Sequence, residues 1–93
     1  MNDLQKYKDL FLSFTYGYDF CEYKDQHEYH VAVNILFTHY VYYETGELRP
    51  IEKALNKSPR TIRYYLQQYD NRIDNDIILK CLNKALEEKL KSR

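Results

Sequence analysis

Glycine and proline are scarce, with two of each in 93 residues. An all-β domain needs a turn roughly every 8–12 residues, and this chain has few residues suited to tight turns, so helices are expected. Long apolar runs are absent too. No stretch approaches the roughly 18 consecutive apolar residues of a membrane helix, and the N-terminal MNDLQKYKD lacks the basic-then-apolar order of a signal peptide. No membrane association is expected, and the cytoplasm is the expected compartment. Cysteine is limited to Cys21 and Cys81, far apart and expected to be ordinary semi-buried thiols, reduced in such a compartment. Gly17 and Gly46 stand alone, which excludes a glycine-rich phosphate loop. There is no internal repeat and no low-complexity segment.

The composition is that of one small globular domain over residues 1–93: 44% of residues are hydrophobic and 30% charged. A second independent core would have too little apolar surface to bury. Eleven residues are Tyr, a side chain of large contact area with a polar tip, suited to half-buried surfaces and interfaces. The formal charge is zero, but residues 1–47 carry three Lys/Arg against eight Asp/Glu, and residues 48–93 carry eleven against six. The two halves are therefore −5 and +5. A neutral total leaves nucleic-acid binding open, because the field at the contact face is what matters. The acidic half would point away from DNA or meet a partner protein.

Apolar spacing predicts helices along most of the chain. Leu4, Tyr7, Leu10, Phe11 and Phe14 mark a short amphipathic helix from about Asp3 to Phe14. Thr15 to Phe20 is an aromatic connector broken by Gly17; together residues 1–22 form an N-terminal helix and connector of open role. A longer helix is expected from about Tyr23 to Tyr43, with Val31, Ile35, Leu36, His39 and Tyr42 or Tyr43 as its buried stripe. Its acidic first turns (Glu22, Asp25, Glu28) suit the positive end of the helix dipole. Gly46 is placed to end it.

From Leu48 the pattern changes to two short helices. The first runs from Leu48 to Asn56, with Pro50 in its first turn and Ile51, Ala54 and Leu55 on its apolar side. Asn56 tolerates the left-handed backbone that a sharp turn needs. Ser58 then reads as an N-cap and Pro59 as the first helical residue. The second helix is expected to reach about Tyr69, where Asp70-Asn71 breaks it. A closing helix from Asp74 or Asn75 carries Ile77, Ile78, Cys81, Leu82, Ala85, Leu86 and Leu90.

Two short helices joined by a tight turn, the second opened by a Ser cap, describe a helix-turn-helix over about residues 48–69. Ile51 and Leu55 on the first, with Ile62 and Tyr65 or Leu66 on the second, would make the small core that fixes their crossing. The outer faces then carry Arg49, Lys53, Lys57, Arg60 and Arg63 against Glu52 alone. Arg60, Thr61, Arg63 and Tyr64 occupy the first two turns of the second helix, the part that enters a major groove. Ser58 and the free N–H groups of that helix start would suit a phosphate. The bland alternative is a helical hairpin with merely solvated cations.

From about His30 onward the chain resembles the C-terminal DNA-binding domain of the bacterial chromosomal replication initiator DnaA, of the Trp-repressor-like helix-turn-helix group. The resemblance covers about two thirds of the chain. It rests on a long helix ending in Tyr42-Tyr43, on Leu48-Arg49-Pro50-Ile51, on Ser58-Pro59-Arg60-Thr61-Ile62, and on a tail, Asn71 to Leu90, similar to that family's closing helix. It implies that Lys57 takes the family's basic place, that Thr61 contacts DNA and that Ile62 packs inside. Four departures stand out. Glu52 replaces a Gly, Pro59 replaces a base-reading His, the turn is one residue shorter near Asn56, and Val33 stands where the family has a minor-groove Arg. They bear on the family's sequence preference, not on its architecture. The 93 residues hold no counterpart of the family's ATPase domain, and the expectation is a free-standing relative of the binding domain, of phage or mobile-element type.

Other constellations carry less. Cys21, His27 and His30 lack a fourth ligand and match no usual zinc spacing, so no metal or other cofactor is expected. His39 reads as a core histidine. Tyr16, Tyr18, Tyr40, Tyr42, Tyr43, Tyr64 and Tyr65 could stack single-stranded bases, but such residues more often fill cores and interfaces. Nothing marks a catalytic set, so no enzyme activity is expected. The expectation is thus an all-α single domain of four to five helices containing a helix-turn-helix. Its function would be binding of double-stranded DNA, of regulatory or replication-linked type. A homodimer would double the contact area, although no heptad marks an interface. The alternative is a small phage or mobile-element module that binds or inhibits a host protein, motivated by the acidic half and the many Tyr residues.

Overall fold

The computed structural model describes residues 3–14 and 28–91. They form five helices in chain order: α1 (Asp3–Phe14), α2 (Glu28–Thr45), α3 (Arg49–Leu55), α4 (Pro59–Arg72) and α5 (Ile77–Lys91). There is no strand among the described residues, and none of their helices is long and apolar enough to cross a membrane. The aromatic connector, Cys21, His27 and the expected start of the long helix near Tyr23 lie outside the described residues.

α2 is the centre of the domain. Helices α1, α3, α4 and α5 all pack against it, and every residue from Ala32 to Thr38 is buried. A helix covered on all sides has no single apolar stripe, which corrects the expected one. Val33, Phe37 and Val41 are as buried as Ile35 and Leu36, whereas Tyr43 is 71% exposed. Gly46 ends the helix as expected, with φ +73° and its N–H on the Tyr42 carbonyl at 2.7 Å.

α1 lies antiparallel to α2. Tyr7 packs edge-on against Tyr40 with centroids 5.7 Å apart, and one turn later Phe11 meets Phe37 at 5.1 Å, at 86°. Each such edge-to-face pair contributes about 0.5–1.5 kcal/mol beyond the apolar area it buries. α4 instead runs in the same general direction as α2: the buried Tyr65 lies beside Asn34, and one turn on Tyr69 stacks on His39.

Two helix boundaries differ from the expectation. Asp70-Asn71 does not break α4, which continues to Arg72. Asp and Asn disfavour helix by only tenths of a kcal/mol, and the Tyr69 stack together with an Arg72 Nε to Gln68 Oε1 bond of 2.7 Å holds the extra turn. α5 begins at Ile77 because the Asp76 carboxylate caps the Leu79 N–H at 3.1 Å. Its buried residues are Leu79, Leu82 and Leu86. Ile77, 76% exposed, and Cys81, a free exposed thiol, therefore face outward rather than joining the core.

Candidate nucleic-acid interface

The α3–α4 unit begins with its turn. α3 closes on Asn56 in the left-handed region (φ 55°, ψ 49°), and the N–H groups of Asn56 and Lys57 both point to the Glu52 carbonyl. This left-handed cap satisfies a carbonyl the helix end would otherwise leave without a partner. Ser58, in extended backbone, opens α4: its Oγ accepts the Thr61 N–H at 3.3 Å and its carbonyl accepts the Ile62 N–H at 3.1 Å. Three residues, Asn56 to Ser58, thus reverse the chain. Ile51 and Leu55 of α3, with Ile62 and Tyr65 of α4, are buried. Tyr65, rather than Leu66, is the buried residue of the expected pair; burial pushes the phenol's pKa up, and the neighbouring Asn34 side chain partly opposes this.

With those four residues inward, the opposite faces point to solvent. Arg49 and Lys53 are exposed on α3, one turn apart, and Lys57 is half-buried in the turn. Arg60, Arg63 and Tyr64 are exposed on the first two turns of α4. None of the five cations is held in an ion pair among the described residues. Glu52, half-buried, is the sole carboxylate from Arg49 to Tyr69. The hydroxyls of Ser58 and Thr61 lie 3.2 Å from each other, so both are engaged in the cap. Pro59 has no N–H, and the Thr61 and Ile62 N–H groups are already bonded, which leaves the Arg60 N–H as the free backbone donor of this first turn.

One exposed residue on the same face is not among those expected from the sequence. Gln67 follows Arg63 and Tyr64 by one turn and is exposed. Its signal is its three- and four-residue spacing from Tyr64 and Arg63, within the helix expected to reach about Tyr69.

The remaining expected features fall elsewhere. Val33 is buried in α2, so that position offers no side chain to a groove. His30 is buried against Asn34, with Nε2 and Nδ2 3.1 Å apart, and no metal-binding group occurs among the described residues. Of the described Tyr residues, Tyr65 is buried and Tyr40 and Tyr42 are partly so, while Tyr43 and Tyr64 are exposed; they do not form one continuous platform. His39 is half-buried between Tyr69 and Tyr43.

Among the described residues, the fold and this unit define an all-α domain of five helices with a helix-turn-helix. Comparison with protein-family models, curated proteins and solved structures finds no match.

Proposed function

We propose that this protein binds double-stranded DNA through α3, the turn and α4, in a regulatory or replication-linked role, and that it is not an enzyme. One observation carries the reading: five cations without an ion pair among the described residues, Arg49 and Lys53 on α3, Lys57 in the turn, and Arg60 and Arg63 on α4, lie on one unit whose buried faces fix the two helices against each other. Arg49, Lys53 and Lys57 would neutralise phosphates, and the N-terminal half of α4 would present Arg60, Arg63 and Tyr64 to base edges in the major groove. The likeness to the DnaA C-terminal domain, with its Ser58-Pro59-Arg60-Thr61 start, supports the same docking.

The test is binding of the purified protein to random-sequence duplex at two salt concentrations, beside an Arg60→Ala/Arg63→Ala variant. Each phosphate neutralised contributes about −0.9 to the slope of log affinity against log salt. A steep slope in the wild type and loss of binding in the variant are expected. Absence of binding at low salt would exclude this reading and favour the second one, a module that docks on a host protein. That alternative has its own observation: Tyr43 is exposed beside His39 and Tyr69, with Asp70 and Glu87 close enough to raise the Tyr69 pKa, after burial as the main cause. Aromatic faces rimmed by carboxylates suit a cationic side chain of a partner.

A further inference from the structure

Within the reading just given, α4 is longer than the sequence suggests, and its outward face continues past Tyr64. Arg63 and Tyr64 each lie three or four residues from both Arg60 and Gln67, so the four share one exposed stripe. Two adjacent glutamines sit here and differ in state. Gln68 is partly buried, and its Oε1 accepts the Arg72 Nε–H at 2.7 Å. The Gln67 amide is exposed and takes part in no hydrogen bond. It keeps both a donor and an acceptor for a partner, the pair that matches N6–H and N7 of adenine in the major groove.

The reach is suitable. At about 1.5 Å per residue, Arg60 to Gln67 spans about 10 Å, or about three base-pair steps of 3.4 Å. The stripe also has an electrostatic limit. Asp70, exposed one turn beyond Gln67, carries a carboxylate that phosphates would repel. The groove-facing segment therefore ends between Gln67 and Asp70, and Gln67 is its last side chain able to read a base.

We propose that Gln67 is a specificity-determining residue of the α4 face, reading an adenine in the major groove of duplex DNA. The inference rests on the DNA-binding reading, and one experiment separates the two. A duplex library with a randomised core is selected in parallel with the wild type, Gln67→Ala and Gln67→Arg, and affinities for the wild-type consensus and for unselected duplex are then measured. Circular dichroism melts confirm that both surface variants fold. The expected result is a wild-type consensus with one adenine preference that Gln67→Ala abolishes and Gln67→Arg changes to guanine. Affinity of Gln67→Ala for that consensus should drop about 10- to 100-fold, and affinity for unselected duplex should stay within about twofold, as for a residue that makes no phosphate contact. Selection of the same consensus by wild type and Gln67→Ala overturns the role of Gln67 and leaves DNA binding intact. No duplex bound by the wild type overturns both.

Discussion

His39 and Tyr69 lie face to face, with ring centroids 3.5 Å apart and planes 8° from parallel. The contact ties the C-terminal half of α4 to the central helix, as the buried Tyr65, beside Asn34, ties its middle. The orientation of the basic stripe on α4 is therefore set from behind, by two aromatic residues that never reach the surface stripe.

The stack makes stability depend on pH. Burial lowers the His39 pKa below the ordinary value of 6.5, while the Asp70 charge partly offsets this. The unfolded chain then binds the proton more readily than the folded one. The contribution of His39 is full above the ordinary value, declines as pH falls through it towards the lower folded value, and is constant below that. Melting temperature should drop between pH 7.5 and 5 more in the wild type than in His39→Phe, which keeps a ring for Tyr69 but cannot titrate. Parallel pH profiles for the two proteins would refute the assignment.

The turn depends on Asn56. With φ at 55°, a residue lacking a short polar side chain is strained by about 1–2 kcal/mol. Asn56→Ala should lower stability by about 1 kcal/mol, which is about 4–8 °C in a domain of this size. Asn56→Gly should equal the wild type or exceed it. If alanine and glycine variants melted together, the left-handed turn would not be the stabilising feature.

Thr38 is fully buried on α2 and its hydroxyl has no hydrogen-bond partner among the described residues. Burying an unpaired hydroxyl costs about 1–3 kcal/mol on mutational scales, and valine has nearly the same shape. Thr38→Val is expected to raise the urea midpoint, by about 1 kcal/mol in stability. A lower midpoint would mean that the hydroxyl has a partner in solution.

Much of this domain is legible in the sequence because it is encoded locally. The Asp3–Phe14 helix, the Gly46 stop, the left-handed Asn56 and the Ser58-Pro59 start each follow from a residue's own backbone preference or from a bond to a neighbour three or four positions away. The outward cations follow in turn: once Ile51, Leu55 and Ile62 are inside, helical geometry sends Arg49, Lys53, Arg60 and Arg63 to the other side.

What needed the tertiary structure was every choice made by a distant partner. Asp70-Asn71 reads locally as a helix breaker, yet α4 continues because Tyr69 meets His39 thirty positions earlier in the chain. Tyr65 and Leu66 are equal candidates for the core until the packing of α4 against α2 buries Tyr65 and leaves Leu66 only partly covered. The apolar stripe of α5 passes through Leu79, Leu82 and Leu86, not Ile77 or Cys81, because that is the side which packs against α2 and α1. The sequence by itself determined the helices, the turn and a basic outer face, since these depend on interactions within a few residues. How far α4 extends past Tyr69 was decided only when the helices packed, because long-range contacts outweigh differences in local propensity of a few tenths of a kcal/mol.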